Sequence, residues 1–343
     1  MLVLLASISM AMGLVGCAQM NYLLQSANGH LALLDARESI ADLLEDPATP
    51  TALTARLQRV EVMRAFAQTE LALPNRGSYR HYVELGRAHL LYSVSAAPPL
   101  SLSPRQWCYP IVGCVTYRGF FELEAANQEA ARLRQMGDDV YVAPVDAYST
   151  LGWFDDPVTS ALLRGPHWST AGVLFHELAH QQVYAANDSP FSEAYAVAVQ
   201  REGERRWLAR HGNAAEREQY ARYHATREQF LVMVRGTREQ LAVLYASPVG
   251  DVEKLRQKQL LFEQLRARFV QMRWSWGGYR GFDRWFAQDL NNAKLALVAT
   301  YNGLVPRFTR LLAELNGDMR AFHGRVAQLA TLDSQRRREG LPD

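Results

Sequence analysis

The sequence predicts an α+β fold, predominantly helical, with a small β-sheet and a long C-terminal helical hairpin. Three observations predict it. Apolar residues recur at helical spacing towards both ends of the chain, the text between about His89 and Pro144 turns rich in β-formers, and Pro248-Val249-Gly250 separates two long charged amphipathic stretches. With 343 residues, 48% of them hydrophobic, the chain can bury a substantial core, as one large domain or two small ones. A formal net charge of +2 gives no electrostatic case for nucleic acid, although Arg greatly outnumbers Lys, which occurs only at 254, 258 and 294.

The chain opens on an uncharged apolar run that ends at Cys17, too short for a comfortable membrane span. Leu14-Val15-Gly16-Cys17 resembles the lipobox of bacterial lipoproteins, although no Lys or Arg precedes the run. The resemblance implies a signal peptide over residues 1–16, acylation of Cys17 and a lipid anchor in the cell envelope. Ala18, standing where aspartate would signal inner-membrane retention, points to the outer membrane, facing the periplasm. The alternative is a buried first helix with an incidental cysteine.

Residues 17–88 read as helices: apolar positions from Leu23 to Leu44 keep the helical period, Pro47 and Pro50 interrupt it, and a second stretch runs from about Thr51 to Leu73 before the turn cluster Pro74-Asn75-Arg76-Gly77. Between them and about residue 210 lies the segment expected to form the catalytic core. Leu91 to Val94, Cys108 to Tyr117 and Val140 to Val142 form its small sheet, with a helix near Glu122 to Met136. Cys108 and Cys114 flank Pro110 and Gly113, which favour a reversal; in an exported chain a disulfide between them is expected, reduced buried thiols being the alternative. Residues 211–343 form the helical C-terminal region. Within it, Ala214 to Ala246 and Val252 to Trp274 pair as the hairpin, and a third helical group covers Phe286 to Leu332. The whole of 17–343 is expected to be a single domain.

The chemistry sits in Phe175-His176-Glu177-Leu178-Ala179-His180. Four residues apart on a helix, His176 and His180 can offer imidazole nitrogens to one metal ion, while Glu177 takes a proton from the attacking water. A catalytic zinc needs a third protein ligand and an open position. Val183 and Ala186 stand where a metzincin would need glycine and histidine, which excludes that class. Asp188 to Ala196 reads as the start of a new helix, with Ser189 as cap and Pro190 first in the helix, so that Glu193 can return to the metal in the gluzincin arrangement. Asp188 is the competing ligand. Glu202 and Glu204 lie further along, and His167 reads as a loop residue.

Further text resembles a bacterial family of predicted aminopeptidases that carry a lipoprotein signal and the His-Glu-x-x-His motif. It comprises Gly77-Ser78-Tyr79-Arg80, Trp107 to Cys114, Tyr117-Arg118-Gly119-Phe120-Phe121, Tyr148-Ser149-Thr150-Leu151-Gly152, Ser192-Glu193-Ala194 and Asn291-Asn292-Ala293-Lys294. The resemblance implies a gluzincin-like peptidase using one Zn2+ and acting on peptide or protein substrates. Tyr148 to Gly152 reads either as an edge strand that lines up an extended peptide or as an ordinary packed loop, with Arg118 as a further candidate contact. Tyr117, Arg118 and Tyr301 are candidates for the oxyanion donor, and Glu122, Glu124 and Asp155 for binding a free α-ammonium. Two alternatives share the sequence: an envelope metalloendopeptidase with an open cleft, and a non-catalytic lipoprotein that binds a partner through its helical hairpin.

Overall fold

A computed structural model describes residues 20–109, 113–147 and 150–343. The lipobox with Cys17, and Tyr148 and Ser149, lie outside the described residues. A helix over residues 20–35 (α1) precedes β1 (Glu38–Ser39), α2 (Ile40–Glu45) and α3 (Thr51–Leu71). There follow β2 (His81–Val83), β3 (Leu91–Ala97), β4 (Trp107–Tyr109), β5 (Gly113–Val115), β6 (Arg118–Phe120), α4 (Leu123–Gln135), β7 (Asp139–Val145) and β8 (Val158–Thr159). The rest is helical: α5 (His167–Gln182), α6 (Ser189–His211), α7 (Ala214–Ala246), α8 (Asp251–Ser275), α9 (Asp283–Ala287), α10 (Asn292–Asn302), α11 (Val305–Glu314), α12 (Met319–Ala330) and α13 (Ser334–Glu339). The predominantly helical architecture with small sheets matches the sequence expectation. None of the described helices is long and apolar enough to cross a membrane.

Two elements differ from the sequence reading. The first helical run breaks after residue 35, where Arg37 Nε donates to the Leu34 carbonyl and the chain pairs with β2 before Ser39 caps α2. The strands form two three-stranded sheets, β1-β2-β8 and β6-β3-β7, and a β4-β5 hairpin. In the first sheet β2 and β8 run parallel, a long-range pairing that no local periodicity announces.

The main apolar core gathers residues from α2, α3, α5, α6, α11 and α12. A second fills the space between α7, α8, α9 and α10, and a third lies between α4 and the β6-β3-β7 sheet. The α7 and α8 helices pack together as the expected hairpin, α7 opening with a capping box of Asn213 and Glu216.

Close approach of α5 and α6 rests on small residues. Ala194, Ala196 and Ala198 are buried, and each helix also presents a glycine to the other. A Cβ at Gly203 would stand 2.4 Å from Phe175 Cδ2 and 2.8 Å from Leu71 Cδ1; one at Gly172 would collide with the Glu204 carboxylate. Phe175 and Leu71 are fully buried and cannot yield cheaply. Gly203→Ala is therefore expected to lower stability by about 1–3 kcal/mol, seen as a lower denaturant midpoint at unchanged slope. An unchanged midpoint would mean that the two helices have slack at this crossing.

Candidate metal centre

Helix α5 starts after Pro166, whose extended backbone leads into His167. His167 belongs to this helix rather than to a loop, and its ring joins Trp207 Nε1, which donates to Nδ1, with Glu216. Two turns on, His176 and His180 face inward, 9% and 8% exposed. The chain then reverses through residues 183–187. Helix α6 is capped by Asp188, one position before the expected Ser189; the Asp188 carboxylate accepts from Phe191 N–H at 3.2 Å. The other Asp188 oxygen pairs with Arg337 at 3.2 Å and accepts from Ser334 Oγ, which removes it from competition as a ligand.

Glu193, on the first turns of α6, returns to the histidines. His176 Nε2 lies 3.3 Å and His180 Nε2 3.5 Å from Glu193 Oε2, and the two ring nitrogens are 3.2 Å apart. Among the described residues these three form a group able to hold a metal ion, one donor atom of each lying within 4.8 Å of the others. The spacing suits zinc: bonds of about 2.0–2.2 Å in a tetrahedral shell put neighbouring donors about 3.3–3.6 Å apart. Nor do the protein groups satisfy one another, since Glu193 Oε2 is buried without a hydrogen-bond partner. Two imidazoles and one carboxylate would fill three corners of such a shell and leave the fourth for another oxygen.

Electrostatics separates the two glutamates. Burial pushes Glu193 upward, but the adjacent His180 and His176 rings outweigh it and hold the carboxyl at about 2. Glu177 is pushed up to about 7, by burial first, with the charges of Glu193 and Asp156 adding to it against the field of His176. One carboxyl is thus a fixed anion and the other is poised to exchange a proton near neutrality.

Tyrosines close the centre. Tyr301, near the end of α10, stacks on the His176 ring at 6.4 Å between centroids and brings its hydroxyl to the Glu193 carboxylate. Its helix is pinned at the other end. Asn291 Nδ2 donates to the Val140 carbonyl, Asn292 N–H to Asp139, and Lys294 Nζ to the Trp285 carbonyl, so the Asn-Asn-Ala-Lys text fixes α10 against β7 and α9. Tyr117 also lies in the field of Glu193 and Glu177, and burial followed by those charges raises its pKa well above the ordinary value. Tyr184 stands edge-on to His180. Tyr79 was not singled out for the site by the sequence, yet its buried hydroxyl feels Glu177 and Asp156. Its backbone has φ 63°, a strained value for an aromatic residue, held by the N–H donating to the Asp156 carbonyl at 2.6 Å.

The Cys108–Cys114 disulfide is present across the β4-β5 hairpin. Cys114 N–H donates to Asn187 Oδ1 at 2.8 Å, so the hairpin holds the loop between α5 and α6.

Several sequence candidates fall elsewhere. Arg118 is buried against α4, paired with Glu129 at 3.2 Å and stacked over Tyr22 and Trp107; strand alternation turns it to that side together with Phe120. Thr150, Leu151 and Gly152 form a turn rather than an edge strand: Leu151 has φ 57° and Gly152 φ 81°, and Trp153 N–H closes the turn on the Thr150 carbonyl. Glu122 and Glu124 are exposed at the start of α4, Glu122 pairing with Arg87, and Asp155 is exposed beside the buried Asp156. Glu202 pairs with Arg205 and Arg206, while Glu204 is buried, accepting from Gln200 and joined to His224.

A sequence-family model described as "Putative aminopeptidase" matches residues 21–341. No curated protein and no solved structure matches the chain.

Proposed function

The chain belongs to the putative aminopeptidase family, and on that premise we propose that it is a gluzincin-like zinc peptidase that hydrolyses peptide bonds at the centre formed by His176, His180 and Glu193. The observation that carries this reading is the convergence of those three donors at the spacing of a tetrahedral zinc shell, with Glu177 beside them outside the ligand set. When bound, zinc supplies Lewis acidity: it polarises the peptide carbonyl and makes water a nucleophile near neutral pH. Glu177 accepts the proton of the attacking water and passes it to the nitrogen of the departing amine, a task suited to a carboxyl near 7. The Tyr117 hydroxyl, which lies in the field of both site glutamates, donates to the developing oxyanion. Tyr301 holds the Glu193 carboxylate in place and excludes water above His176.

The same reading makes the protein an aminopeptidase of the bacterial envelope, anchored through Cys17. The disulfide supports an oxidising compartment, and the lipobox-like text supports the anchor. Purified protein is expected to contain one zinc per chain and to release amino acids from short peptides with free N-termini. Chelation should stop the release and added zinc restore it. Protein that holds stoichiometric zinc but cleaves no peptide, blocked or free, would overturn the proposal.

A further inference from the structure

Glu177 and Gln181 lie one turn apart on the same flank of α5, and on that flank three oxygen-bearing groups lack the partners their burial calls for. The first is the Asp156 carboxylate. It is 3% exposed, accepts from Thr150 N–H at 3.1 Å and from the Thr150 side chain, and forms no ion pair with any cation among the described residues. The second is the Tyr79 hydroxyl, on a side chain 2% exposed, and the third is Gln181 Oε1; both atoms are buried without a hydrogen-bond partner. The backbone ties the three together. Ser78 Oγ accepts from Asp156 N–H at 3.3 Å and from Gln181 Nε2 at 3.0 Å, and Tyr79 N–H donates to the Asp156 carbonyl. The fields of Glu177 and Asp156 both reach Tyr79, and that of Asp156 reaches Glu177, so the cluster adjoins the proton-transferring carboxylate.

A buried anion with no cation, next to two unpaired oxygens, is costly unless something supplies positive charge and donors together. A primary ammonium does both, offering one charge and three N–H bonds. We propose that Asp156, with Gln181 Oε1 and the Tyr79 hydroxyl, receives the free α-ammonium of a peptide substrate and so restricts cleavage to unblocked N-termini. The inference rests on the peptide-hydrolase reading of the metal centre. In a substrate cut after its first residue, the amine lies two bonds, ~2.5 Å, from the scissile carbonyl carbon, which suits an anchor beside Glu177. Burial raises the Asp156 carboxyl to about 6, still ionised at neutral pH. Asp155, Glu122 and Glu124 are exposed and lack this setting.

The test measures calorimetric binding of trialanine and N-acetyl-trialanine to zinc-loaded Glu177→Gln protein, where the complex persists, with and without Asp156→Asn. Asparagine keeps the shape and the acceptor for Thr150. The free peptide is expected to bind about tenfold to a hundredfold more tightly than the blocked one, and Asp156→Asn to erase that preference by weakening the free peptide alone. A folded Asp156→Asn protein that keeps the full preference overturns the inference. Equal binding of both peptides before that substitution, with equal cleavage by the native protein, overturns it while leaving peptide hydrolysis standing; no cleavage of either removes both readings. Should Asp156→Asn fail to fold, Tyr79→Phe and Gln181→Met are each expected to cut the preference several-fold, and preference retained in both overturns the inference.

Discussion

Glu177→Gln is expected to reduce kcat/KM by about 10²–10⁴-fold, the range carried by a positioned acid or base, while zinc content and thermal midpoint stay at the native values. The separation follows from geometry. Glu177 lies outside the three donors that converge between His176, His180 and Glu193, so an isosteric amide at 177 leaves that set whole. What it removes is the group able to take a proton: a carboxyl whose burial and neighbouring anions hold it at about 7. Because the carboxyl acts on both the attacking water and the departing nitrogen, the loss should fall on kcat more than on KM. Steady-state kinetics with parallel metal analysis checks this. A variant with native turnover would remove Glu177 from the chemistry, and one that lost its zinc would show the residue to be part of the donor set.

His180→Ala is expected to do the reverse, removing metal and activity together. Outer-shell partners of a metal ligand already cost 10–100-fold in affinity when lost, so deletion of a direct donor should exceed about a hundredfold. Stability should follow through linkage. Zinc at about 100 times its dissociation constant adds about 2.7 kcal/mol to the native chain, and that increment should vanish in the variant, whose melting temperature becomes indifferent to zinc and to chelator. Glu193 is then left buried beside one imidazole instead of two, so the metal-free variant should also melt below the metal-free native protein. Equal zinc affinity in native and variant protein, measured by competition with a chromophoric chelator, would place the metal elsewhere.

The three converging donors were legible because each is set by local rules. His176 and His180 share a helix face through their spacing, and Glu193 follows a cap and a proline that announce a new helix at a distance allowing only a tight reversal. Tyr117 and Tyr301 were named as candidates, and the fold brings both to the glutamates. What stayed hidden depends on side-chain direction and long-range pairing. Asp155 and Asp156 are adjacent in sequence, and only the turn through Leu151 and Gly152 decides which is buried. Arg118 looked like a substrate contact, but the strand turns it onto Glu129. Tyr79 reaches the site through a left-handed backbone that an aromatic residue rarely adopts, and the parallel β2-β8 pair that frames it joins segments far apart in the chain.

All three donors come from two consecutive helices joined by the short reversal at 183–187, whereas Tyr79, Tyr117 and Tyr301 arrive from separate stretches of chain. Closing a short loop forfeits little chain entropy, and closing long ones forfeits more. The disorder given up in assembling the centre is therefore concentrated in its tyrosine walls rather than in its three converging donors.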